Sequence, residues 1–330
     1  MRKIFIYLFF VSIAVFGQSQ FNEINSMPGS FSRMGFGARG MGMGNAMLAV
    51  TTGNLVAYYN PAMSVLQEGN SFQTSYSFLS LDRSLNFLSY TRKFDFYSKK
   101  NPDKTKPSST AGLSVGIINK GVSDIQLRDR EGEITGDFSE SENQFFVGIA
   151  NRFSQKVAVG LLVKYYYNKL YEDVTSSALG IDIGITYFAS DHFTIAAAVT
   201  DINAKYKWDT SNIYGQDGNS TTDKFPLLKK IGVSYRFDDP SVIAALELES
   251  SNGGTNYLRV GAEYNIFEGL FLRSGLDRFN LSNTDTPVKP AFGFSYLYNT
   301  GGFIAGIDYA FVIEPYSPAD QHIVGINVNF

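Results

Sequence analysis

Polar and apolar residues alternate with a period of two over long stretches of this chain, which restricts those stretches to extended strands with two unlike faces. From Ala178 the sequence ALGIDIGITYF puts Leu179, Ile181, Ile183, Ile185 and Tyr187 on one side and Gly180, Asp182, Gly184 and Thr186 on the other. The last residues repeat it, with Val324, Ile326, Val328 and Phe330 alternating with Gly325, Asn327 and Asn329. A strand of about ten residues with one lipid-like face and one polar or small face is the unit of a membrane-spanning barrel. A soluble β-sandwich also alternates, but its strands are usually shorter.

Hydropathy points the same way. Mean hydropathy is −0.08 although 44% of residues are hydrophobic, so apolar residues are dispersed rather than gathered into helical blocks. Met1-Arg2-Lys3, the apolar run Ile4 to Phe16 and the exit Gly17-Gln18-Ser19 read as a secretory signal peptide over residues 1–17. Beyond Phe16 no apolar run approaches the ~20 residues of a membrane helix, so an exported chain of this kind enters a membrane as a closed barrel.

The alternation predicts strands near 70–79, 84–95, 111–121, 143–153, 156–169, 177–188, 192–205, 226–237, 241–250, 255–266, 269–279, 289–299, 302–313 and 321–330. The expected fold is therefore all-β, a transmembrane antiparallel β-barrel of about fourteen strands over residues 70–330, an even number as bacterial barrels prefer. Short turns at Ser154-Gln155, Ser190-Asp191, Asp238-Asp239-Pro240, Phe267-Glu268-Gly269 and Thr300-Gly301 alternate with longer polar links such as 122–142, 206–225, 280–288 and 314–320. Short periplasmic turns and long outer loops place both termini in the periplasm of a bacterial outer-membrane protein. The basic stretch Ser98 to Ser109, with Lys99, Lys100, Lys104 and Lys106, is long where a short turn is expected.

One hairpin is specific at residue level. With Gly269 at the left-handed position of the turn, Glu263 falls opposite Arg273 and Arg259 opposite Asp277, all four facing the lumen. Directly opposed unlike charges favour pairing by roughly 0.2–1 kcal/mol each, and a one-residue slip would turn all four into lipid. Lys230, Arg236, Glu247 and Glu249 share the inward parity, as do Gly232, Gly261, Gly275, Gly293 and Gly306. Paired charges and small residues predict a narrow or filled lumen rather than an open pore.

Residues 18–69 lack strand alternation. Their centre, SRMGFGARGMGMGNAMLAVTTGNLVAYYNPAMSVL, combines many glycines with Met, Leu, Val and Tyr that need burial, and the simplest place for them is inside the barrel as a hatch or plug. The run Gly37-Ala38-Arg39-Gly40-Met41-Gly42-Met43-Gly44-Asn45-Ala46, followed by Tyr59-Asn60-Pro61-Ala62, resembles the N-terminal region of the PorV/PorQ group within the FadL-like outer-membrane barrels. The resemblance implies a plugged fourteen-strand barrel. It also implies that Asn60, Pro61 and Ala62 end the hatch at the wall, that Gly40, Gly42 and Gly44 belong to it, and that Arg39 anchors it, a structural charge paired with a lumen carboxylate.

Other chemistry is poorly represented. The chain has no cysteine, which removes disulfides, thiolate metal sites and lipid anchoring. Gly35-x-Gly37-x-x-Gly40 imitates a dinucleotide fingerprint, but no strand precedes it and no acidic residue follows before Gln67 to hold a ribose. The two histidines, His192 and His322, sit at predicted strand ends where a solvated role is the default. The loop Asp209 to Asp223 has oxygen ligands without an ordered calcium spacing. No catalytic residue, cofactor or metal is expected, and a net charge of −3 offers no basic face for nucleic acid.

Two functions fit. By resemblance to PorV and PorQ, the protein is a non-enzymatic component of type IX secretion or cell-surface attachment, with secreted proteins or other secretion-system components as partners. By resemblance to FadL, it transports long-chain fatty acids or other hydrophobic compounds, and its partners are a hydrophobic small molecule and the outer-membrane lipid. The second reading predicts an apolar pocket against the hatch and a lateral opening near the third strand; a closed, charge-filled interior would tell against it.

Overall fold

The computed structural model describes residues 23–97, 107–171 and 174–330. The expected signal peptide and the basic residues Lys99, Lys100, Lys104 and Lys106 lie outside these residues. Sixteen strands follow one another among the described residues. The first seven are β1 Asn70–Phe78, β2 Arg83–Phe96, β3 Ser109–Arg128, β4 Ile134–Ser154, β5 Val157–Tyr171, β6 Val174–Phe188 and β7 Phe193–Ile202. A small pair comes next, β8 Lys205–Asp209 and β9 Ser220–Lys224. The series ends with β10 Leu228–Phe237, β11 Val242–Ser251, β12 Asn256–Phe267, β13 Leu270–Asn280, β14 Lys289–Asn299, β15 Ile304–Val312 and β16 Gln321–Asn329.

Fourteen of these close into one antiparallel barrel, in which each strand pairs with its neighbour in sequence, β7 pairs with β10, and β16 returns to β1. Its wall is sorted by parity. On β6, Leu179, Ile181, Ile183, Ile185 and Tyr187 are exposed while Ala178, Asp182 and Thr186 are buried. The same outward belt continues through Ile231 and Tyr235, Leu246 and Leu248, Leu272 and Leu276, Phe292 and Phe294, and Val324 and Ile326. A continuous apolar belt of this extent is unfavourable against water and favourable against hydrocarbon, so this is a transmembrane barrel. No helix among the described residues is long and apolar enough to cross a membrane.

Two departures from the sequence reading have local causes. Residues 206–225 read as a loop, yet they contain the β8–β9 hairpin, joined through a short helix α2 (Ser211–Tyr214). Its strands are five residues each, too short for alternation to declare them. The second departure lies between β12 and β13. Val260 pairs with Leu276 and Leu258 with Phe279, so Asp277 and Arg278 together oppose Arg259 in a bulge, with Arg278 at φ +58°. Glu263 does sit directly across from Arg273.

β3 and β4 are the longest strands. Pairing with β2 ends at Val122 and pairing with β5 begins at Ser141, so the part between pairs only with itself and projects beyond the neighbouring strands.

Residues 23–69 run inside the barrel. A short helix, α1 (Gly37–Gly42), packs against β1 and β13 to β16, and a 3-10 turn, Pro61–Leu66, packs against β2 to β6 on the far side. The turn starts where its sequence allows: Asn60 is extended and its Oδ1 accepts the Ala62 N–H at 3.0 Å, while Pro61 needs no hydrogen bond at the first position.

Candidate functional site

The barrel interior is where chemistry-bearing side chains gather, and it is built jointly by the wall and the N-terminal segment. Arg39, on α1, is 7% exposed. Its Nε and Nη2 donate to the two Glu263 oxygens at 2.9 and 2.7 Å, while Nη1 donates to the Thr52 and Asn54 carbonyls at 2.8 and 3.1 Å. Glu263 also accepts from Arg273 Nε at 2.5 Å, and Arg273 reaches Ser295 Oγ and, at 3.8 Å, Asp308. One carboxylate thus holds two guanidinium groups, one from the wall and one from the segment.

A second cluster lies four residues further along the same two strands, β12 and β13, and extends onto β11 and β10. Arg259 contacts Glu247 and both oxygens of Glu249 at 3.1 Å and Asp277 at 2.7 Å, with Lys230 3.2 Å from Glu249. Two N-terminal groups join it: the Leu48 N–H donates to Glu247 at 3.2 Å, and Asn45 Nδ2 donates to Asp277 at 3.1 Å. Tyr59 completes this contact, its hydroxyl 2.8 Å from Asn45 Oδ1 and accepting the Phe36 N–H at 2.8 Å. A third cluster sets Lys164 between Asp182 at 2.7 Å and Asp201 at 3.1 Å, with the Tyr166 hydroxyl donating to Asp201 at 2.6 Å. Buried charges of this kind are tolerated only when each finds its partners.

The glycines supply the fit. A Cβ on Gly261 would lie 2.3 Å from the Met43 carbonyl oxygen, and one on Gly275 would lie 2.3 Å from the Gly44 nitrogen. Across the barrel a Cβ on Gly160 would meet the Pro61 backbone at 2.3 Å, and one on Gly112 the Ser64 backbone at 2.3 Å. Gly40 leaves room for the Tyr59 ring and Gly42 touches Gly293 and Ala310. Asn60 Nδ2 bridges the Leu48 carbonyl at 2.9 Å and Thr186 Oγ1 at 3.1 Å, and Ala62 packs with Val65, Ala150 and Ala158 at the wall. Gly306 faces Leu297 and Asn327 on neighbouring strands rather than the segment.

Three cavities of about 20, 20 and 10 Å³ adjoin the segment, each with room for about one water. Outside, an apolar groove of about 560 Å³ runs over β16, β1, β2 and β3. At the rim, a cleft of about 570 Å³ lies between the segment and the β8–β9 hairpin. In that hairpin burial pushes the Tyr206 phenol up, while the Ser211 hydroxyl and N–H hold the Asp209 carboxyl below the usual range. Among the described residues no group of three or more His, Asp or Glu side chains is arranged to hold a metal.

Sequence reasoning overlooked Asn45, Tyr59 and the Lys164–Asp182–Asp201 cluster. Lys164 and Asp182 do fall on the inward parity of adjacent strands, but diagonally, Lys164 opposing Gly180, where Glu263 opposes Arg273 directly. Arg236, given inward parity, lies at a strand end, half exposed and 3.9 Å from Asp238. His192 is likewise exposed, 3.7 Å from Asp238, and His322 lies on the outer face with Nδ1 2.7 Å from the Tyr309 hydroxyl.

No protein-family model matches this chain, and no curated protein matches it. Solved structures do. The deltaS2S3 mutant of the TodX monoaromatic hydrocarbon channel superimposes with a TM-score of 0.59 at 14% identity, over 89% of this chain and 97% of that one. The Pseudomonas putida toluene transporter TodX gives 0.55 at 16% identity, over 89% and 96%. A Pseudomonas aeruginosa FadL homologue is looser, at 0.49 and 10% identity over 90% and 98%. The TodX structures share a fold with this chain, and none of these matches is to PorV or PorQ. At such identities the likeness is one of fold, and the fold is a closed fourteen-strand transmembrane β-barrel of the kind seen in hydrocarbon transporters.

Proposed function

We propose that this protein is an outer-membrane channel for a small hydrophobic compound, with residues 23–69 as a plug that shifts to let it pass. The observation that carries the reading is a thin place in the wall. The interior cavity beside Phe36 and Val56 and the apolar groove outside are both lined by Thr74, Ser75 and Ile326. On the inner side the layer is Gly37, Ser75 and Gly325, with a Gly37 Cβ meeting nothing closer than Ser75 Oγ at 3.6 Å. On the outer side Tyr76, Phe78, Leu88 and Ile117 offer an apolar surface continuous with lipid. A compound leaving the plug there would enter hydrocarbon without crossing the polar rim. A 20 Å³ cavity admits no aromatic ring, so passage in this reading requires the plug to move.

The chain's lack of cysteine makes a direct test available. A Cβ on Gly42 would lie 3.6 Å from that of Ala310, within disulfide range, so Gly42→Cys/Ala310→Cys staples α1 to β15. Uptake of labelled toluene by cells carrying this variant should fall on oxidation and recover on reduction. Uptake no greater than in cells lacking the protein would end the transport reading. In this orientation Phe330 faces the periplasm, while Met27 and Pro28 lie at the opposite rim, beside Gly253 and the β8–β9 hairpin.

One observation favours the PorV/PorQ-like reading: the three cavities that adjoin the segment are small and Arg39, Arg259 and Lys164 are paired with carboxylates, which suits a barrel that works through its rims. Under that reading the stapled and unstapled forms behave alike, and a pull-down from native membranes recovers secreted proteins or secretion components.

A further inference from the structure

We propose that the rim cleft is a binding site for a neutral polyhydroxylated ring, a saccharide unit, separate from any path through the barrel. At about 570 Å³ it is within the size range of small-molecule sites. Its walls come from distant parts of the chain: Met27 and Pro28 from the N-terminal segment, Glu142 from β4, Asn168 from β5, and Tyr206 and Trp208 from β8.

The site is held in shape before any ligand arrives. Below it Phe31, Tyr166, Phe225 and Tyr206 form a pile of rings with centroids 6.4, 4.6 and 4.9 Å apart in turn, and Trp208 lies 5.5 Å from Tyr206. Trp208 Nε1 donates to Asp223 Oδ2 at 2.9 Å, which fixes the indole. The hairpin is tied to β6, where Ser176 Oγ donates to the Lys207 carbonyl at 2.8 Å and accepts its N–H at 3.0 Å.

The polar wall selects the ligand. Glu142 and Asn168 are more than nine-tenths buried. Glu142 Oε1 accepts from Asn168 Nδ2 at 2.7 Å and Oε2 from Lys120 at 3.2 Å, and each carboxylate oxygen retains a second acceptor position. Among the described residues Asn168 Oδ1 and Tyr206 Oη have no hydrogen-bond partner. The wall is therefore rich in acceptors, with two cations close by: Lys120, 3.2 Å from Glu142, and Lys224, which also lines the cleft. Neutral donors suit such a surface better than ammonium or phosphate groups. A hydrocarbon would strip water from Glu142 and Asn168 and give no hydrogen bond back. A sugar ring meets both demands, with hydroxyls for the acceptors and a C–H face for Trp208, which Tyr206 backs from below.

Trp208 is the chain's single tryptophan, so intrinsic emission reads this cleft directly. The purified full-length protein, in a detergent without a sugar headgroup, is titrated with maltose, cellobiose, chitobiose, phenol and toluene. At least one disaccharide should change the emission saturably with a Kd in the millimolar range or tighter. Glu142→Gln should weaken that affinity about tenfold or more, and Thr300→Ala, at a distant turn, should leave it unchanged. Barrel integrity of each variant is checked by heat-dependent gel migration. Saturation by toluene or phenol alone, no saturable change with any disaccharide, or unchanged affinity in folded Glu142→Gln would overturn the proposal. None of these outcomes depends on whether hydrocarbons are taken up by cells.

Discussion

Glu263 should matter more than Arg39, although both belong to the same ion pair. Removing Arg39 by Arg39→Ala deletes two charged hydrogen bonds to Glu263 and two to the Thr52 and Asn54 carbonyls. Breaking a buried pair in this way costs about 3–5 kcal/mol. The carboxylate left behind still has Arg273 Nε at 2.5 Å, so it is not stranded. Glu263→Ala instead strands two guanidinium groups near one another, of which Arg273 keeps only Ser295 and a distant Asp308. At about 1.5–3 kcal/mol for a hydrogen bond to a charged group, Glu263→Ala should exceed Arg39→Ala by roughly that amount. The double variant removes one of the stranded cations and should cost no more than Glu263→Ala alone, so the two changes are strongly non-additive. The quantity to measure is the free energy of opening the N-terminal segment, from thermolysin cleavage of the folded barrel under conditions where reclosing outpaces cleavage. Additive costs, or an Arg39→Ala effect larger than that of Glu263→Ala, would refute the shared-carboxylate argument.

Three further outcomes are expected. Gly275→Ala sets a methyl against the Gly44 backbone, which cannot yield as a side chain can; it should lower the opening free energy by about 1–3 kcal/mol, with the barrel still migrating as folded on semi-native gels. Lys164→Met leaves Asp182 and Asp201 facing each other without a cation and should cost about 3–5 kcal/mol in barrel unfolding by urea. Replacing residues 123–139 with a two-residue turn should leave the urea midpoint unchanged, because beyond Val122 and Ser141 the β3–β4 pair adds no ladder to its neighbours; a clear drop would mean that the projecting part braces the wall.

Much of the wall was legible because a membrane strand must present hydrocarbon and interior on alternate residues, so each strand announces its own parity. The Glu263–Arg273 pairing could be read for the same reason, since a glycine at 269 fixes the turn and the turn fixes the register. Arg259 and Asp277 were harder. They meet at 2.7 Å as the turn register places them, but across a bulge in which Arg278 takes a left-handed conformation that arginine seldom adopts and nothing local signals. The β8–β9 hairpin escaped because neither strand is long enough to show a period, and its meaning comes from Phe225 settling on Tyr166 with Tyr206 against Phe225, a contact across distant sequence. Arg39 could be assigned a carboxylate partner in kind but not in identity, since its partner stands 224 positions downstream.

The inward glycines carry a consequence for how such a chain can change over time. Gly112, Gly160, Gly261 and Gly275 are notches cut to the contour of one particular ribbon, and the ribbon is encoded ahead of the wall in the same polypeptide. A bulkier residue in a notch can survive only if the ribbon gives way at the matching place. Lock and key are inherited together here, so grafting residues 23–69 from one such barrel into another should fail unless the receiving notches are grafted too.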